Sequence, residues 1–194
     1  MRGAAALFLV ALLAGCQPAP AQPTTTSAAH PRLTSTLQAL VPGYTFEATV
    51  TLAGSVATRA IGRWVNGAGE FVIEAQQSEL TYRTVPPRAW VLDDESRWIE
   101  LDSGSPLGNP IDALLKPTTL TTVGEWDGDL DLRATYPAAA FGLSGDPVTV
   151  DLHFDADGSV VATYRTATPA GEAVSETRMT PAANLEPVPV PTAG

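Results

Sequence analysis

One cysteine, two histidines and 11 basic side chains against 21 acidic ones are spread over 194 residues, and each shortage removes a class of function. A single cysteine cannot form an internal disulfide or a cysteine-rich metal site. Of the histidines, His30 lies in a polar segment and His153 falls on the polar side of an alternating stretch, between Leu152 and Phe154. That reads as a surface histidine and leaves no pair for a His-based triad or acid–base couple. Gly-x-Ser-x-Gly, Walker and dinucleotide glycine patterns are all missing. The chain is therefore expected not to be an enzyme and to need no cofactor. Asp127, Asp129 and Asp131 have the spacing of a calcium loop, but Ala138 stands where the bidentate glutamate belongs, so no metal is expected. The deficit of positive charge repels phosphate and argues against nucleic acid as a partner. No apolar run reaches the roughly 20 residues needed to span a bilayer.

What is present begins with Arg2 and the apolar stretch from Gly3 to Ala14, which read as a signal peptide over residues 1–15. Leu13-Ala14-Gly15-Cys16 resembles the lipobox of bacterial lipoproteins, and that resemblance implies cleavage before Cys16, which then carries a diacylglycerol on its sulfur. Cleavage would leave 179 residues and a side-chain net charge of −11, since Arg2 departs with the leader. Such a surface is repelled by anionic lipid, so attachment has to come from acyl chains such as palmitate. Each buried CH₂ contributes about 0.8 kcal/mol, and stable anchoring takes at least two chains. The expected location is the extracytoplasmic face of the cell membrane, with the membrane as a partner through acylated Cys16.

Residues 16–31 carry the lipidated cysteine and a proline- and threonine-rich tether too poor in apolar side chains to fold. Residues 181–194, with Pro187, Pro189 and Pro191 at alternate positions, are expected to be a disordered or polyproline tail. Residues 32–180 are expected to form one domain. Leu33, Leu37, Leu40 and Val41 have helical spacing and stop at Pro42-Gly43; Asn109, Pro110 and Asp112 provide a cap, a first helical residue and a first-turn acid for a second short helix. From Tyr44 the period becomes two, and about ten alternating segments follow, separated by turns such as Asn66-Gly67 and Asp155 to Gly158. Alternation places Phe46, Val50, Leu52, Phe71, Ile73, Leu80, Tyr82, Val150, Leu152 and Phe154 on one apolar sheet face. Pattern alone leaves open whether that face is filled by side chains or left hollow. Trp64, Trp90, Trp98 and Trp126 are read first as core residues, with a shared ligand cavity as the other possibility.

The order of lipobox, tether, helix to Val41-Pro42, meander, Trp98-Ile99-Glu100-Leu101 and Asn109 to Leu115 helix resembles the actinobacterial LppX and LprG lipoproteins, related in fold to the carrier LolA. Leu132 to Ala139, with its Tyr-Pro-Ala-Ala, and the acidic Asp155 to Gly158 hairpin before Ser159-Val160-Val161 are the nearest local likenesses. The resemblance implies an α+β, mainly β domain: a strongly curved antiparallel half-barrel whose concave face is covered by two short helices. It further implies that the ten apolar residues line a cavity for a lipid or glycolipid, which the protein carries or presents in the cell envelope. The competing expectation is a non-enzymatic interaction or sensor lipoprotein with a solid core and an envelope protein as partner.

Overall fold

The computed structural model describes residues 31–76, 78–102 and 108–192; Cys16, the leader, the tether and His30 lie outside them. Helix α1 (Pro31–Leu40) buries Leu33, Leu37 and Leu40, one stripe of its surface. Val41, expected on the same stripe, is exposed, because the helix has already ended at Leu40. Strands β1 (Tyr44–Leu52), β2 (Ser55–Val65), β3 (Ala68–Ala75), β4 (Ser78–Val85), β5 (Arg88–Leu92) and β6 (Trp98–Glu100) form a meander. After α2 (Pro110–Leu114), a second meander comprises β7 (Thr119–Trp126), β8 (Asp129–Tyr136), β9 (Val148–Phe154), β10 (Val160–Thr168) and β11 (Gly171–Pro181). A 3₁₀ turn, Ala138–Phe141, joins β8 to β9.

All eleven strands belong to one antiparallel sheet in the order β6-β5-β4-β3-β2-β1-β11-β10-β9-β8-β7. The sheet does not close. β1 pairs with β11 along its whole length, from Tyr44 opposite Pro181 to Leu52 opposite Ala173, which joins the two meanders at the centre. The link from β6 to β7 runs from one edge strand to the other, and α2 lies within it. Asn66 and Gly67, at φ of 50° and 83°, make the left-handed turn between β2 and β3. Gly69 has a different reason to be glycine: a Cβ there would come within 2.8 Å of the Trp64 ring.

Alternation survives into burial. In β9, Val148, Val150, Leu152 and Phe154 are buried, and in β1 Tyr44, Phe46, Ala48 and Val50 are buried. Register carries one row across the apolar face, from Ile73 through Ala60, Ala48, Thr177, Ala162 and Leu152 to Leu132. Four of its members, Ala60, Ala48, Thr177 and Ala162, are small. α2 sits on this face by hydrogen bonds from two distant strands: the Tyr44 hydroxyl donates to Asn109 Oδ1 at 2.8 Å, and the Tyr136 hydroxyl donates to the Leu114 carbonyl at 3.0 Å. In a flat sheet β1 and β8 would stand four spacings, about 19 Å, apart. The helix spans only about 7.5 Å between those anchor points. Bending of the sheet brings the two tyrosines within reach, so the geometry is consistent with a curved sheet.

The described part of the tail touches the domain. Ala182 N–H donates to the Gly43 carbonyl at 3.1 Å, and Val188 is buried at 7% exposure. An isolated valine among prolines gives no periodicity from which docking could be read. Truncation after Glu186 is expected to lower stability by about 1.5 kcal/mol, the scale for a buried valine. Thermal melts of the two chains test this, and an unchanged midpoint contradicts a docked tail.

Candidate functional site

The apolar face of the sheet is the candidate site, and the structure brings the ten expected residues onto it with unequal cover. Phe46, Val50, Phe71, Ile73, Val150, Leu152 and Phe154 are buried, whereas Leu52, Leu80 and Tyr82 are half-buried. On the β1–β4 side, aromatic rings fill the surface: Phe71 stacks on Tyr82 with centroids 5.5 Å apart and meets Phe46 edge-on at 6.0 Å, while Trp64 lies parallel at 6.3 Å. On the other side, Phe141 contacts Tyr136 at 5.5 Å and Tyr164 at 5.3 Å. Leu33, Leu37 and Leu40 of α1 and Ile111 and Leu114 of α2 belong to the same core. An enclosed space of about 10 Å³ remains under α2, lined by residues that include Leu114, Phe141, Val150, Ala162 and Thr177. That is close to the room for one water, against several hundred Å³ for an ordinary ligand pocket. Among the described residues, the part of the face under α2 is therefore filled.

Three polar atoms depart from that apolar setting. Among the described residues, the Thr177 and Ser175 hydroxyls and the Trp64 indole N–H are buried with no hydrogen-bond partner. Each such group costs about 1–3 kcal/mol when it has nothing to replace water. Thr177 lines the small space under α2.

At the other end of the cover the face becomes accessible. Tyr82, Val91 and Ile99 stand opposite one another across β4, β5 and β6, and exposure rises along that row until Ile99 is 48% exposed at the edge. Helix α1 is tied near the opposite edge by an Arg32–Glu125 pair at 3.2 Å, Glu125 being on β7. Glu125 is well exposed and Arg32 partly so, which leaves the pair screened and worth little. Burial of the three leucines is what holds the helix.

The tryptophans do not share a cavity. Trp64 is core; Trp90 is buried on the opposite, polar face, where β4–β5 register sets it across from Arg83; Trp98 is half-buried with the Arg83 guanidinium 4.4 Å from its ring; Trp126 is half exposed on β7. Strand phase, not residue type, decides these positions.

His153 lies on the polar face as expected, yet it is more engaged than a surface histidine. Asp131 faces Nδ1 at 2.6 Å, Asp155 faces Nε2 at 2.9 Å, and Arg178 reaches Asp155 at 3.1 Å. An acceptor on each ring nitrogen favours the imidazolium, which donates from both. The Asp131 hydrogen bond raises the His153 pKa above its ordinary value; burial opposes that rise, and Asp155 adds to it. This cluster is expected to contribute fully below about pH 6.5, the ordinary histidine value, and to lose its contribution as pH rises through the folded value. Urea midpoints of the protein and of His153→Gln between pH 5 and 9 test it. A stability difference that stays flat or widens with pH contradicts the assignment. Asp157 accepts from the Ser159 N–H at 2.8 Å, which is turn chemistry, and Asp129 accepts from the Ala156 N–H at 2.9 Å, which ties one hairpin turn to the next. Among the described residues no group of three or more His, Cys, Asp or Glu is placed to hold a metal ion.

No family model and no curated protein matches the chain. No helix among the described residues is long and apolar enough to cross a membrane.

Sequence reasoning missed Thr177 and the pair Tyr44 and Tyr136 as elements of the site. Thr177 alternates correctly with Ser175 and Met179, but a threonine in a β-rich stretch reads as ordinary strand. The Asn109 cap was legible, and Ile111 N–H does donate to its side chain at 3.0 Å. Its second partner, Tyr44, lies 65 residues away and leaves no local signal.

Proposed function

We propose that the protein is a membrane-anchored lipoprotein that binds a lipid or glycolipid against the apolar face of its sheet and carries or presents it in the cell envelope. The observation that carries this reading is the cover itself. A one-sided, unclosed eleven-strand sheet is capped by short segments, α1, α2 and the 3₁₀ turn, over a row of small side chains. An acyl chain enters by displacing part of that cover from the accessible Tyr82–Ile99 side. Removal of the chain from water, at about 25 cal/mol per Å², offsets the lost contacts. The unpartnered Thr177 hydroxyl gives an ester or hydroxyl oxygen of the ligand a place to bond. Two meanders joined through a helix that crosses the sheet fit the half-barrel of LolA-like proteins, and the lipobox likeness supports anchoring through Cys16 on the extracytoplasmic face. No step requires a catalytic residue.

The filled part of the face under α2 favours a second reading, an envelope interaction module with a solid core. Native mass spectrometry of the purified protein in the presence of mixed phospholipids separates the two. Discrete mass increments beyond the anchor support carriage, and an unchanged mass at saturating lipid supports the solid module.

A further inference from the structure

We infer that the protein has a second binding site, a slot between the splayed ends of β9 and β10 that takes an extended peptide segment of a partner protein bearing a basic side chain. β9 and β10 pair only from Phe154 opposite Val160 to Val150 opposite Tyr164. Beyond that point both strands continue, but not together. β10 runs on to Thr168, paired with β11 up to Gly171, while Val148 and Thr149 of β9 stay paired with Tyr136 and Thr135 of β8. Each strand thus keeps its outer neighbour and loses its inner one.

A groove of about 750 Å³ opens along this divergence, with Pro147 to Thr149 on one wall and Arg165 to Ala167 on the other. The β9–β10 ladder stops short of the inward-facing backbone groups of both walls, which on the β9 side are those of one of Val148 and Thr149, Pro147 having no N–H to offer. An extended chain laid between them can bond to both sides, the geometry by which peptides add to exposed strands. The groove adjoins the core, since Ala138, Val148 and Tyr164 line it and Tyr164 also borders the space under α2.

Charge selects the occupant. Four charged side chains line the slot, and three are already engaged: Arg133 with Asp151 at 2.7 Å, and Arg165 with Glu172 at 2.7 Å. Asp146, exposed at the mouth, has no ionic partner among the described residues. A partner segment with a lysine or arginine at that level completes the set, whereas an acidic one meets a like charge in a chain that is already strongly acidic.

Three capped heptapeptides of alternating threonine and valine, with lysine, glutamine or glutamate at the centre, test the site by hydrogen exchange on the full chain. The lysine peptide is expected to protect amides at 148–149 and 165–168 and to bind at least tenfold more tightly than the glutamate peptide. Asp146→Lys is expected to reverse that order without altering exchange elsewhere, and N-methylation of the peptide backbone is expected to abolish binding. Absence of protection by all three peptides at millimolar concentration overturns the proposal. So does protection confined to the β7 edge or the apolar face, or a peptide order that Asp146→Lys leaves unchanged.

Discussion

Leu152→Trp is expected to destabilise the protein by roughly 1–3 kcal/mol or more, because an indole has no vacant volume to enter. Leu152 is 1% exposed, stands between Ala162 and Leu132 in the register, and the nearby enclosed space under α2 amounts to about 10 Å³. Val50→Trp is expected to behave alike, since Val50 is buried opposite Ser175. The urea midpoint reads the cost, and lipid uptake measured on the same variants reads the consequence for binding. A hollow face would give the reverse pattern, unchanged stability with lost uptake. Strong destabilisation with no uptake by the unmodified protein would favour the solid module.

The other large effect is all-or-none. Cys16→Ala is expected to abolish acylation, leaving either an unprocessed precursor or a protein released from the membrane fraction, with the domain still folded. The residue lies outside the described region, and the expectation rests on the Leu-Ala-Gly that precedes it. Labelling cells with a clickable palmitate analogue reports the result directly. Continued incorporation into the variant would sink the anchoring proposal.

Local chemistry explains why much of the fold was readable. Period-two burial in β1 and β9, the helical spacing of Leu33, Leu37 and Leu40, and the Asn109-Pro110 start of α2 all depend on residues within a few positions of one another, where pattern is informative. Of the ten residues assigned to the apolar face, seven are buried there, and the three half-buried ones, Leu52, Leu80 and Tyr82, lie at a strand end or toward the β6 edge. Alternation reports facing but not distance from the cover. Whether the face is full depends on pairings such as Ala48 with both Ala60 and Thr177, set by strand order and register over more than a hundred residues. The docked Val188 and the Asp131–His153–Asp155 cluster escaped for the same reason, each being a meeting of segments that separately look like tail, turn and wet strand face.

Photo-crosslinking with a phospholipid that carries a diazirine at the middle of one acyl chain tests the central claim most directly. The account predicts adducts on peptides from β1 and β9, at side chains of the Phe46, Val50, Val150 and Leu152 surface, with competition by unlabelled phospholipid. Adducts confined to the polar face, or none above the level of a non-binding control protein, would contradict it.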